Sequence, residues 1–156
     1  MRSGIQESNG GVARYHHADT GRNARVSTEI TGYAASTLMF LHRTTGEAQY
    51  LERASAAARF LARTAWDSAA HAMPFEIDPA EFAYFFDCGI IVRGLLAAWR
   101  ASRDQEFLDV AMALGKSMIG DFAGTNGNYH PVLGLPEKQP LQYDRARWSR
   151  SPAAIN

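Results

Sequence analysis

The sequence predicts an all-α protein: two repeated α/α hairpins of an α/α toroid, with a short extended or β segment near the C-terminus. Three observations carry that prediction. Apolar residues recur at helical spacing through four stretches between Thr28 and Phe122. Those stretches pair off, and the first pair overlays the second at an offset of 57 residues. Within each pair the first stretch is nearly uncharged along its middle, as suits a helix buried on all sides. The second has one apolar stripe and one charged face. Buried inner helices alternating with amphipathic outer ones make a two-layered toroid rather than a simple bundle.

Residues 1–27, rich in Gly, Ser, Asn and Arg, read as an arm with one short extended piece. The segment 28–122 reads as one domain of two hairpins, 28–66 and 87–122. Its first helix runs from Thr28 to Arg43, with Ser27 or Thr28 as N-cap, Glu29 in the first turn and Gly46 as the breaker. The second, Gln49 to Trp66, sets Leu51, Ala54, Ala58 and Leu61 on one face. A proline-containing loop covers 67–86. The third helix, Asp87 to Ser102, takes Asp87 as its cap, and the fourth, Gln105 to Phe122, carries Leu108, Ala111, Leu114 and Met118 on one stripe. "GTNGN" from Gly124 is a turn signal, and the three prolines of "YHPVLGLPEKQPLQY" exclude a helix there. Residues 123–156 are therefore expected to be an extended segment followed by the start of a truncated third repeat.

The register of the overlay is specific. Gly32 falls on Gly89, Leu38 on Leu95, Arg43 on Arg100, Tyr50 on Phe107, Leu51 on Leu108 and Ala54 on Ala111. The period is too long for tetratricopeptide, ankyrin or armadillo units.

Composition excludes several function classes. Sixteen basic residues balance sixteen acidic ones, which argues against a nucleic-acid partner. No apolar run approaches the roughly 20 residues that span a bilayer, and "MRSGIQESNGG" lacks the apolar core of a signal peptide. A single cysteine forms no internal disulfide framework and fits a cytoplasmic location. Neither a G-x-G-x-x-G nor a G-x-x-x-x-G-K-[ST] pattern occurs, so no nucleotide cofactor is expected, nor any other.

The segments "EITGYAASTLMFLHRTTGEAQYLERA" and "DCGIIVRGLLAAWRASRDQEFLDVA" resemble the six-hairpin, (α/α)6-toroid glycosidase superfamily, which includes unsaturated glucuronyl hydrolases and sugar epimerases. The resemblance covers residues 28–122. Six hairpins at this period would need on the order of 340 residues, so two hairpins imply part of a longer protein, a shortened version of the family's fold, or a chain that assembles with copies of itself. The "D-x-G" that opens the third helix is similar to the segment that carries a functional aspartate in unsaturated glucuronyl hydrolases. By that resemblance Asp87 takes an acid/base role, and Glu29, at nearly the same place in the preceding hairpin, becomes its partner. The resemblance implies a carbohydrate-active protein, glycoside hydrolase-like, acting on an acidic or cell-wall saccharide.

Each candidate also has a structural reading. Two carboxylates about 5–9.5 Å apart suit glycosidic hydrolysis, but Asp and Glu also stabilise helix starts as caps and through the dipole. Tyr33, Tyr84, Trp99 and Trp148 suit sugar stacking or an ordinary core, with Tyr84 the better platform and Trp99 the better core residue. Arg145 and Arg147, with Arg150, flank Trp148 and suit a uronate carboxylate or a solvated tail. His16, His17 and Asp19 lack metal-ligand spacing, so no metal is expected. Cys88 reads as a packed small hydrophobe, although a helix N-terminus can lower a thiol pKa. The alternative to an enzyme is a non-catalytic α/α scaffold that binds a protein partner or self-associates through exposed inner-helix surface.

Overall fold

Four helices form the body of the protein in a computed structural model that describes residues 4–141. Helix α1 spans Thr28–Thr45 and α2 Ala48–Phe60, and a π-helical turn, Leu61–Ala65, continues α2 without a break. Helix α3 spans Phe85–Ser102 and α4 Gln105–Gly120. Helices α1 and α3 thus begin and end 57 residues apart, and so do the starts of α2 and α4. The stops correspond as well. Gly46 ends α1 with φ 75° and Arg103 ends α3 with φ 58°, both left-handed, and each donates its backbone N–H to a carbonyl of the last turn. Gly46 adopts that conformation without strain, whereas Arg103 is a non-glycine residue in it.

Packing follows the apolar stripes. Helix α1 lies against α3, α2 covers α1 and α4 covers α3. The α1–α3 crossing is close because glycines face it: a Cβ on Gly94 would stand 2.6 Å from the Gly32 carbonyl oxygen. Between the layers lie Met39, Ala58, Leu61, Cys88, Ile91, Leu95, Phe107 and Leu114, all buried. The expectation that the inner helices are buried all round is corrected here. Phe40 of α1 and Phe86 of α3 are exposed, at 56% and 62%, because no described element packs on that face.

Short strands flank the helices. In the arm, β1 (His16–His17) pairs antiparallel with β2 (Arg22–Asn23). Further along, β3 (Phe82–Tyr84), β4 (Val132–Gly134) and β5 (Gln139–Pro140) form an antiparallel sheet in that order. The stretch expected to be loop before α3 therefore ends in a strand, and the proline-rich stretch after α4 supplies its two partners. The turn between α4 and β4 closes through Gly124 N–H donating to the Asn128 carbonyl at 2.7 Å.

Candidate functional site

Several segments converge on the start of α1. Ser27 caps it, its hydroxyl accepting from the Ile30 N–H at 3.4 Å. The Thr28 N–H donates to the Phe75 carbonyl at 3.0 Å, and the Thr28 hydroxyl donates to the Pro74 carbonyl at 2.7 Å. From the arm, the Val12 N–H donates to the Thr31 hydroxyl oxygen at 2.9 Å. The loop before β3 and the N-terminal arm are thereby tied to the helix end that carries Glu29. The start of α3 is held differently, by the Phe85 N–H donating to the Pro131 carbonyl at 3.0 Å.

Asp87 is not the cap of α3, contrary to its sequence reading. Tyr84 holds the cap position without a side-chain hydrogen bond, and Asp87 sits in the first turn inside. The helix starts earlier because Tyr84 leaves β3 in an extended conformation and the chain turns helical directly at Phe85. Glu29 likewise is no cap, since Ser27 fills that role. Neither carboxylate accepts a hydrogen bond from a described residue.

A buried carboxylate without donors resists ionisation. Asp87 is only 9% exposed. Burial and, secondarily, the negative charge of Glu29 push its pKa up to about 7, with the Arg14 guanidinium pulling the other way. Burial also raises Glu29, again opposed by Arg14. Asp87 therefore senses the charge of Glu29, and both acids share Arg14 as counter-charge. Arg14 lies in the arm, where no pattern in the sequence singles it out.

Beside them opens a cleft of about 550 Å³, lined by arm residues Arg14, Tyr15 and Arg25 and by Phe75, Glu76, Phe82 and Tyr84. Neither Glu29 nor Asp87 is among its lining residues. Tyr84 links the two regions: it lines the cleft, and its pKa is raised by burial and then by the charge of Asp87. Its ring meets Phe75 edge-on at 5.4 Å, and Arg14 lies over that same Phe75 ring at 4.9 Å. Arg14, Arg25, Phe75 and Glu76 come from segments with no helical periodicity, so only the fold brings them together.

The remaining candidates are placed apart. Tyr33 does not line the cleft; Arg93 of α3 lies over its ring at 5.3 Å. Trp99 packs against the core with Arg103 over it at 5.3 Å. The Cys88 thiol is buried, and burial followed by the charge of Asp87 pushes it up to about 12, the opposite of an activated thiol. His16 shares a hydrogen bond with Asn23 at 2.8 Å, and His17 meets Tyr15 edge-on. Among the described residues, no group of three or more His, Cys, Asp and Glu side chains is arranged to hold a metal ion. No described helix is long and apolar enough to cross a membrane. Arg145, Arg147 and Trp148, and the expected third repeat, lie outside the described residues.

Several solved structures share this fold. Cellobiose 2-epimerase from Spirochaeta thermophila superposes with a TM-score of 0.76 at 22% identity, over 88% of this chain and 36% of its own. A sugar epimerase from a ruminal bacterium gives 0.78 at 15% identity, over 92% and 39%. D-mannose isomerase gives 0.69 at 16% identity, over 86% and 39%. All three are (α/α)6-toroid proteins, and at these identities the likeness is one of fold. The chain spans less than two fifths of each of them. No family model and no curated protein sequence matches the chain.

Proposed function

We propose that the chain is a carbohydrate-active protein of the α/α-toroid type in which Asp87 and Glu29 transfer protons on a saccharide held at the neighbouring cleft. One observation carries the reading: a largely buried carboxylate at a helix start that accepts no hydrogen bond from a described residue, its pKa pushed up to about 7 beside a second acid. A general acid works best when its pKa lies near the operating pH, and only a protonated carboxyl can donate. Asp87 is the acid that protonates a sugar oxygen, and Glu29 the base or nucleophile of a glycoside hydrolase-like reaction. The sugar-processing names of proteins with this fold support the substrate class, and the epimerases and isomerase among them favour proton transfer over any other step. The test is turnover of a panel of neutral and uronic-acid oligosaccharides followed by chromatography, which separates cleavage from epimerisation. Asp87→Asn should lower the rate by at least about 100-fold, a typical general-acid contribution. An unchanged rate in that variant overturns the role of Asp87.

A second reading rests on exposed apolar side chains. Phe40 and Phe86 of the inner helices are 56% and 62% exposed, and such residues mark interaction surfaces. In this reading the chain is a scaffold that binds a protein partner or a second copy through that face. Sedimentation at micromolar concentration separates the two: a clean monomer that turns over sugar excludes the scaffold, and an oligomer without turnover excludes the enzyme.

A further inference from the structure

The cleft contains two arginines around one carboxylate, and one of them, Arg14, also opposes the raised pKa values of Glu29 and Asp87. Glu76 places one carboxylate oxygen 3.9 Å from Arg14 and the other 3.5 Å from Arg25. Arginine–carboxylate pairs that hold firmly are bidentate and close to about 2.8 Å. Here each oxygen faces a different guanidinium, and each distance is at or beyond the limit of hydrogen bonding. The Arg14 side chain is 20% exposed, yet it donates no hydrogen bond to a described residue; its contacts are Glu76 and the face of Phe75. A largely buried guanidinium that lines a cavity and donates no hydrogen bond to a described residue suits anion recognition. Arg25 donates to the Asp78 carbonyl at 3.2 Å as well as to Glu76, and its side chain is 67% exposed.

The cavity around them is built for a ring. Tyr15 and Phe82, 45% and 37% exposed, present aromatic surface to it. Its volume of about 550 Å³ falls within the range of roughly 300–1,000 Å³ in which small molecules bind. Resting on the reading that the ligand is a saccharide, we propose that this cleft takes a sugar acid, its carboxylate on Arg14 and Arg25 and its ring against Tyr15 or Phe82. Glu76 stands in for that carboxylate in the free protein. Binding then exchanges one loosely held carboxylate for another, and the chain's own acid competes with the ligand.

Calorimetric titration with D-glucuronate, D-glucose and acetate tests this on the whole chain. Glu76→Gln removes the competitor and should tighten glucuronate about 10-fold while leaving glucose unchanged. Arg25→Gln, at a side chain that is 67% exposed, should weaken glucuronate at least about 5-fold and again spare glucose. Equal affinity for glucuronate in the wild type and in a folded Glu76→Gln variant overturns the proposal. So does a glucose affinity equal to that of glucuronate, or acetate binding as tightly as the sugar acid. Carried out in the Asp87→Asn background, the titration reads binding without turnover. Selective binding with no turnover in the wild type would then reject only the acid–base reading, and turnover without carboxylate preference only the clamp.

Discussion

Asp87→Asn should make the protein more stable at alkaline pH and leave it nearly unchanged at acid pH. The folded-state pKa of about 7 stands above the ordinary value of 3.8 because burial, then Glu29, penalises the charged form. Between those values the folded chain holds a proton that the unfolded chain has released. Stability therefore falls as pH rises through this window, by about 1.4 kcal/mol for each unit. Across three units the single group removes about 4 kcal/mol, all of it present below pH 4 and lost by pH 8. Asparagine mimics the protonated acid in shape and never ionises. Allowing about 1 kcal/mol for amide donors that lack acceptors, the variant should exceed the wild type by about 3 kcal/mol at pH 8 and match it within about 1 kcal/mol at pH 4. Urea unfolding followed by tryptophan fluorescence at pH 4, 6 and 8 measures the difference, and other titrating groups cancel between the two proteins. A Glu29→Gln control should shift the window downward, since it removes the smaller of the two raising causes. A difference that stays constant with pH, or one that grows toward acid, would mean that Arg14 holds Asp87 ionised in the folded state, and the argument for a poised acid fails.

Two helical glycines should respond to alanine with opposite sign. At Gly94 a Cβ meets backbone atoms of Gly32 at 2.6 and 3.1 Å, so Gly94→Ala must push α1 off α3 and cost about 3 kcal/mol in chemical denaturation. At Gly115 a Cβ meets nothing within 4 Å, and Gly115→Ala should stabilise α4 by about 0.5–1 kcal/mol. Lys138 donates to Asp121 at 2.6 Å and to the His71 carbonyl at 3.0 Å, tying the turn after β4 to α4 and to the loop after α2. Lys138→Met should cost about 1–2 kcal/mol at neutral pH. Burial works against the Asp121 charge, but the hydrogen bonds from Lys138 and Ser117 outweigh it and hold its pKa low. The wild-type advantage over Lys138→Met should therefore fade as Asp121 is protonated in acid.

Helices were legible because their signals are local. Leu51, Ala54, Ala58 and Leu61 mark a stripe by spacing alone, and Gly46 marks a stop by its freedom at positive φ. The start of α3 was misplaced by two residues because an aspartate ahead of an apolar run looks like a cap. What decided the boundary is a distant contact, the Pro131 carbonyl receiving the Phe85 N–H. The cleft was illegible for the same reason. Arg14 and Arg25 lie in an arm without periodicity, and Glu76 lies in a loop some fifty residues on. Their chemistry arises only when hydrogen bonds to Thr28 and Thr31 draw both segments to the head of α1.

The acid pair itself does not fall on the 57-residue register. Helices α1 and α3 begin at Thr28 and Phe85, yet Glu29 and Asp87 are 58 residues apart, the second residue of one helix and the third of the other. One position on a helix is about 100° of rotation. A capping acid copied with its hairpin would keep its position and direction. In that register Glu29 corresponds to the exposed Phe86, and Asp87 to the half-buried Ile30. Neither acid is a copy of the other, and neither caps its helix. Both carboxylates lie in first turns, where the helix dipole favours an acid, yet both are raised by burial and opposed by the same Arg14. Burying Asp87 costs the fold about 4 kcal/mol at neutral to alkaline pH. Asparagine would relieve that cost at the same size, so the Asp87→Asn comparison of stability with turnover separates a proton-transfer role from a packing one.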